Sequence, residues 1–507
     1  MVSNMRSNPT ADVCIIVEGC YPYVAGGVSS WINWLISGLP DLTFSVVAVL
    51  SSSQNGTPKY KLPSNVIEYQ ELALFDIHDP QPAPDYGSAS INEISRELRA
   101  FLKNGSKARL YDLDRLVNSA SRPWTINQLT NSDLTWNVIC QMYEEILPET
   151  SFHHFFWAWY TLFGGLFAVL KAPIPKAKAY HTISTGYAGL FAARAAVSTG
   201  APAIITEHGI YTNERRIEIL LADWIEDSIN KGFSLDDPRL DLRDLWITAF
   251  ESFARCCYNC CSDITTLYKD NQLMQLSQGA CQSKMQVIPN GIDLNKFSTI
   301  PAKQDNHRPT VALIGRVVAI KDVKSFIHAV ALLQEELPSV EALILGPIDE
   351  EPAYFEECKT LISQLQLEET ITFTGPVNIA EYLPSIDLVA LTSLSEAQPL
   401  VLLEAGAAGI PCVATDVGSC REVLEGRSDD PAPLGSGGII TELVSPFATA
   451  KAMAKLLKDH NLRQQFGAQL RKRIERDYNE HQALSSYRDL YTRNFNKAAE
   501  QESRLFA

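Results

Sequence analysis

Short apolar runs alternate with helix-forming segments along almost the whole chain, and they do so in two separate series. That alternation admits few folds, because buried strands joined by helices make parallel sheets covered on both faces. In the first series, residues 12–19 and 44–50 read as buried strands on either side of a helix at 29–39. A helix at 188–198 and strands at 202–209, 263–267 and 285–291 follow. The second series has strands at 310–315, 342–345, 371–374, 388–391, 412–415 and 438–440, with helices between most of them. The expected fold is α/β, with two doubly wound Rossmann-like domains. Ligands of such sheets sit at the carboxyl ends of the strands, so the domains are expected to face each other across a cleft.

The chain's 507 residues exceed what one hydrophobic core usually serves. The polar stretch 301–309, bounded by Pro301 and Pro309, separates the two series and is the expected boundary. The expected domains are 1–300, with an insertion over 51–151 that is polar and rich in Pro, Asn and Asp, and 301–480. Residues 481–507 read as an amphipathic helix, with Leu484, Tyr487, Leu490 and Tyr491 on one face, that crosses back to the first domain.

The most informative local segment is Ser395-Glu396-Ala397-Gln398-Pro399-Leu400-Val401-Leu402-Leu403-Glu404. It follows the apolar run 386–391, so Glu396 is expected in the loop at a strand's carboxyl end. Pro399 suits the first turn of a helix, where its missing N–H costs nothing. Val401 to Ala408 continue that helix, with Glu404 about a turn and a half along it. Free N–H groups and the positive helix end then make an anion site flanked by two carboxylates, each able to hold a sugar or ribose diol.

Gly315-Arg316-Val317-Val318-Ala319-Ile320-Lys321 follows another strand and brings two cations to the same end of the same sheet. Arg316 can grip a diphosphate bidentately and Lys321 adds a compact point charge. Gly26-Gly27 follows the first strand and reads either as a turn needing positive φ or as a place where backbone approaches a phosphate or sugar. It is not G-x-G-x-x-G, which weakens a dinucleotide reading. His208 closes a buried strand, where it can bond a sugar hydroxyl or an attacking oxygen.

Other features exclude functions. The net charge of -16 argues against nucleic acid and against a broad basic membrane face. Residues 1–12 lack a long apolar run, so no signal peptide is expected, and 11 cysteines fit a reducing cytoplasm with free thiols. Cys256-Cys257-Tyr258-Asn259-Cys260-Cys261 has no second ligand pair at metal spacing and reads as small core residues on a helix. The apolar stretch 155–170 is short of the roughly 20 residues of a membrane span and reads as a buried helix or a docking face. Asp112-Leu113-Asp114 lies in a charged helical pattern and reads as a solvated face.

Gly26-Gly27, Arg316, Lys321 and the Glu396/Glu404 pair, in that order, resemble the GT4 family of retaining glycosyltransferases with the GT-B fold. The variants around Glu18-Gly19-Cys20-Tyr21-Pro22, Thr206-Glu207-His208-Gly209 and Ser395-Glu396-Ala397-Gln398-Pro399 look closer still to the cytoplasmic branch of Pel exopolysaccharide systems. The resemblance implies a UDP-sugar donor, UDP-glucose first, and a polysaccharide acceptor. It also implies inner-membrane synthesis partners, with no metal, cofactor or protein nucleophile. It implies that Arg316 and Lys321 neutralise the diphosphate. Glu396 and the amides of Ala397, Gln398, Pro399 and Leu400 would surround the sugar, with no N–H at the proline. The Leu400 and Val401 amides would cap the distal phosphate, Glu404 would hold the ribose, and Gly375, Pro376 and Val377 would line the base pocket. The common family form is E-G-F-P, so Gln398 is expected to add a hydrogen-bonding group beside the sugar. Asn213 stands where this branch leads one to expect arginine. Two other readings share these features: a GT-B nucleotide-sugar epimerase, and a catalytically silent scaffold of a polysaccharide-synthesis complex.

Overall fold

Seven strands build the first sheet: β1 (Ala11–Glu18), β2 (Phe44–Leu50), β3 (Val66–Ala73), β4 (Ala177–Thr182), β5 (Ala203–Glu207), β6 (Cys261–Thr266) and β7 (Met285–Val287). Their order is β3-β2-β1-β4-β5-β6-β7. The pairs β1–β2, β1–β4, β2–β3, β4–β5 and β5–β6 are all parallel. β2 is buried along its whole length, which is why its sequence is apolar apart from Ser45. Six more strands build the second sheet: β8 (Thr310–Ile314), β9 (Glu341–Leu345), β10 (Ile371–Gly375), β11 (Leu388–Leu391), β12 (Cys412–Thr415) and β13 (Gly438–Thr441). Their order, β10-β9-β8-β11-β12-β13, repeats the doubly wound pattern. In each sheet the chain reverses direction of travel beside the first strand, between β1 and β4 and between β8 and β11. Ligand crevices form at such switch points.

The computed structural model describes residues 10–19, 21–24, 26–52, 56–75, 88–121, 123–220, 241–298 and 308–505. The chain divides into two units: Met1–Thr266, Gln272–Gln286 and Tyr487–Ala507 form one, and Leu267–Asn271 and Val287–Ser486 the other. Of the expected linker, residues 301–307 lie outside the described residues, as do Cys20 and Ala25 of the first glycine loop. The final helix, Glu480–Leu505, contributes Tyr487, Leu490 and Tyr491 to the core. His181 holds it from β4: one ring nitrogen meets the Tyr491 hydroxyl at 2.6 Å and the other meets Thr206 Oγ1 at 2.8 Å.

The structure corrects some expectations and bears out others. The stretch 51–151 is not wholly an insertion, because it contains β3, which lies at the sheet's edge. Edge strands are half-solvated, and Glu68, Gln70 and Glu71 hid the strand pattern. The apolar stretch lies in helix Phe152–Lys171 and is mostly core, with twelve of its residues buried and Trp157 52% exposed. Among the described residues no helix is long and apolar enough to cross a membrane. Asp114 is not a solvated carboxylate: Arg194 Nε donates to it at 2.8 Å, and the same guanidinium donates to the Val169 and Ala172 carbonyls. The pair ties helix Lys107–Val117 to helix Tyr187–Thr199. Cys256, Cys257, Cys260 and Cys261 are buried and free, and no three metal-ligating side chains converge among the described residues.

Candidate functional site

In the second unit, two turns meet at the switch point of the sheet. Beyond β8, a turn of 3₁₀-helix, Ala319–Lys321, leads into helix Val323–Glu336. Beyond β11, residues 392–399 lead into helix Leu400–Ala407. The turns are laced together: Leu394 N donates to the Ile320 carbonyl at 2.8 Å, and Thr392 Oγ1 donates to the Asp322 carbonyl at 3.0 Å. Their side chains then converge. Lys321 Nζ donates to Glu396 Oε1 at 2.5 Å, and Ser393 Oγ donates to the same oxygen at 2.7 Å. Lys321 and Glu396 are 19% and 13% exposed, so the ion pair is largely shielded. Arg316 does not join them; its Nη1 donates to Glu350 Oε2 at 2.6 Å, and both side chains are about half exposed.

Pro399 stands just before the helix rather than inside it, as the N-cap of Leu400–Ala407. No side chain caps this end, so the Leu400 and Val401 amides keep the free N–H character expected at a helix start. Glu404 lies one turn along; burial pushes its carboxyl up to about 7, against a smaller opposing pull from Lys296. Gly375 closes β10 at φ 70, and its carbonyl accepts from Gly346 N at 3.0 Å. Pro376 is exposed and Val377 half-buried. Gln398 is buried, and its Oε1 accepts the Asn290 N–H at 2.6 Å. Its carbonyl end therefore braces the loop from inside.

Three supports of this loop escaped the sequence reading. Ser393 shares Glu396 with Lys321. Ser419 N donates to the Ala397 carbonyl at 2.8 Å. Gly418, at φ 53, leaves no room for a side chain: a Cβ there would fall 2.2 Å from the Glu396 carbonyl oxygen and 2.4 Å from that of Ala397. Only the positive-φ turn after β12 could have hinted at this, and its partner lies far away in sequence.

In the first unit, a cavity of about 510 Å³ opens at the carboxyl ends of β1, β2, β4 and β5. Glu18 sits at its floor, where the Tyr211 hydroxyl donates to it at 2.8 Å, Ser184 Oγ at 3.3 Å and Ala188 N at 3.0 Å. His208 also lines it, packed edge-on against Trp31 with ring centroids 4.8 Å apart. Burial lowers its imidazole to about 4, so the ring is neutral at physiological pH. The neighbouring Glu207 is fully buried, holds bonds from Tyr258 and Gln275, and is pushed up to about 7 by that burial. Gly26 and Gly27 stand at the start of helix Gly27–Gly38, exposed and with open space around the position of any Cβ. Gly26 has φ 171, ordinary extended backbone, so the positive-φ reading of this pair does not hold for it. Asn213 lies in a smaller cavity of about 180 Å³ with Arg216, Glu251 and Arg255.

Residues 11–283 match the family model "Domain of unknown function (DUF3492)", and residues 297–473 match "Glycosyl transferases group 1". The chain belongs to the DUF3492 family and carries a group 1 glycosyl transferase domain. A relative, D-inositol 3-phosphate glycosyltransferase of Kineococcus radiotolerans, is 29% identical over 216 residues, 39% of this chain and 49% of that protein. The chain thus spans about half the length of the relatives it matches. Whole-length likeness is found among solved structures. Sucrose-phosphate synthase from Thermosynechococcus elongatus superposes with TM-score 0.58 at 14% identity, over 96% of this chain and 99% of that one. Anabaena Alr3699/HepE in complex with UDP does so with TM-score 0.58 at 15% identity, over 95% and 99%. These likenesses show the GT-B fold of the group 1 glycosyltransferases.

Proposed function

We propose that this chain is a retaining hexosyltransferase of the PelF branch, moving a hexose from a UDP-sugar, UDP-glucose first, onto a growing extracellular polysaccharide. The observation that carries the reading is the meeting of Lys321 with Glu396 and Ser393 at the switch point of the second sheet. The donor guess draws on Anabaena HepE, also solved in complex with UDP-glucose (TM-score 0.53, 15% identity, 97% of this chain and 99% of that one).

On this reading Arg316 and Lys321 face the donor's diphosphate, and the Leu400 and Val401 amides cap its distal phosphate. Glu396, with the backbone of Ala397, Gln398 and Leu400, holds the sugar. Glu404 takes the ribose diol, and Gly375, Pro376 and Val377 line the base. The bond from the sugar's anomeric carbon to the diphosphate oxygen breaks. The acceptor oxygen bonds to the same face, and its proton leaves with the diphosphate. The two cations stabilise charge that develops on the leaving group, so the reading uses no metal and no protein nucleophile. His208, held neutral, accepts a hydrogen bond from a sugar or acceptor hydroxyl, and Gly26 and Gly27 give close backbone access. The chain works in the cytoplasm and meets inner-membrane synthesis proteins through the exposed edge of helix Phe152–Lys171 around Trp157.

The test is nucleotide release by purified protein from UDP-, GDP- and ADP-sugars without added metal. Selective UDP release from one sugar supports the reading. UDP freed without any acceptor while the sugar is isomerised would turn it into the epimerase, and silence even with polysaccharide acceptors would favour the scaffold.

A further inference from the structure

In the second unit an exposed apolar tip stands where β13 ends. Leu443, Val444 and Phe447 are 43%, 64% and 71% exposed, and among the described residues no large apolar side chain is more exposed than Phe447. Val444 also sits at φ 52. A β-branched residue in the left-handed region is strained, where glycine would not be. Neither packing nor backbone comfort therefore accounts for an apolar side chain at this turn.

Phe447 opens the outer face of helix Pro446–Lys458, whose inner face buries Ala450, Met453, Ala454 and Leu457. At about 100° per residue, Phe447, Lys451, Lys455 and Lys458 fall within about 80° of arc. All three lysines are exposed. Lys458 is paired with Glu336, but among the described residues Lys451 and Lys455 have no ion-pair partner. The acidic neighbour of the tip in sequence is Glu442, also exposed. An apolar tip beside a cationic row fits a lipid surface: the tip enters the boundary between headgroups and acyl chains, and the ammonium groups reach the headgroup phosphates. A groove on a protein would take the apolar tip alone, so the lysine row decides for lipid. The chain as a whole carries a net charge of -16 and is repelled by an anionic bilayer, so a local cationic row selects the face that touches it.

We propose that Leu443, Val444 and Phe447, with Lys451 and Lys455, form a lipid-contact face that sets the second unit directly on anionic bilayers. The face is separate from the donor site, none of whose residues takes part, and from the protein contacts proposed for helix Phe152–Lys171. Each unpaired lysine contributes about fivefold to affinity for an anionic surface. Phe447 contributes about tenfold through burial of its ring.

Vesicle flotation with the full-length protein tests it, comparing phosphatidylcholine alone with phosphatidylcholine and phosphatidylglycerol in equal parts. Affinity for the anionic vesicles is expected to be about tenfold higher or more, and to fall as salt is raised. Lys451→Glu with Lys455→Glu should abolish that preference, and Phe447→Ser should weaken binding about tenfold. Val444→Gly removes strain and side chain together, so it keeps the fold and should weaken binding about fivefold. Circular dichroism confirms that each variant is folded, and a UDP titration keeps the two readings apart: a chain that floats but binds no UDP loses the donor site and keeps this face. No flotation with either vesicle, equal flotation with both, or parental flotation of the lysine and Phe447 variants overturns the proposal. So does self-association in sedimentation velocity that Phe447→Ser abolishes while no form floats, which would assign the face to a second copy of the chain.

Discussion

Lys321 and Glu396 stand 75 positions apart in sequence, and their side chains meet at 2.5 Å. Arg316 is paired as well, with Glu350, but at the solvent-exposed rim. The two cations proposed to serve one diphosphate are thus held in different ways, and their removal should differ in kind. Lys321→Ala leaves a shielded carboxylate without its cation and should cost on the order of 2 kcal/mol of stability. Arg316→Ala breaks an exposed pair and should cost below about 1 kcal/mol. Both should lower turnover by about a hundredfold or more. Paired denaturation and UDP-release measurements check this; normal turnover in both folded variants would sink the donor-site assignment.

With Glu404 proposed to hold the ribose, nucleotide binding should be pH-dependent. Burial raises its carboxyl to about 7, and a ribose diol is best held by the ionised form. UDP affinity should rise as pH climbs from about 6 to about 8, and Glu404→Gln should flatten that rise. Stability runs the other way. The folded protein keeps this proton between about 4.5 and about 7 while the unfolded chain gives it up, so folding weakens as pH rises through that window. Relative to the parent chain, Glu404→Gln should therefore gain stability over the same range. Calorimetric UDP titrations and urea unfolding at several pH values would show both slopes.

His181 carries the opposite sign. Its ring is fully buried; that burial first, and then the electrostatic influence of nearby His208, lowers its pKa to about 3. Unfolding frees a ring that takes up a proton below about 6.5, so its contribution to stability is present above that pH and is lost as pH falls toward 3. The final helix, held by the bond between His181 and Tyr491, should loosen in acid. Amide protection in 487–498, relative to the intrinsic exchange rate at each pH, should fall below about pH 5 in the parent chain, and less steeply in His181→Asn. Protection that does not change with acid would count against the assignment.

Asp322 adopts φ 46, a left-handed conformation unusual for a residue with a side chain, yet it caps helix Val323–Glu336 by accepting from Ser325 N at 3.3 Å. Asp322→Gly relieves the strained backbone and loses little as a cap, so its stability should stay within about 0.5 kcal/mol of the parent. Asp322→Ala keeps the strain and loses the cap, and should cost on the order of 1 to 2 kcal/mol. Thermal unfolding of the two variants side by side would separate the terms.

What could be read from sequence was what lies close in sequence. The strand, turn and helix from Leu388 to Ala407 announce themselves by an apolar run, a polar turn and a proline, and Glu396 and Glu404 fall where that reading put them. β2 was legible because it is buried on both faces, while β3 was not, because an edge strand alternates with polar side chains. Asp114 was misread because its partner, Arg194, comes from another helix. The backbone partner of Gln398 was not legible for the same reason, since the Asn290 N–H that its amide oxygen accepts lies 108 positions away. The cavity of the first unit joins Glu18, Tyr211 and Trp246, residues that no local pattern connects.

Gly418 and Ser419 press against the carbonyls of Glu396 and Ala397, so the loop after β12 and the loop after β11 form one inseparable module. Anyone transplanting residues 395–400 from a related enzyme to change the donor sugar would be moving half a part. The graft inherits its shape only when residues 418–419 travel with it.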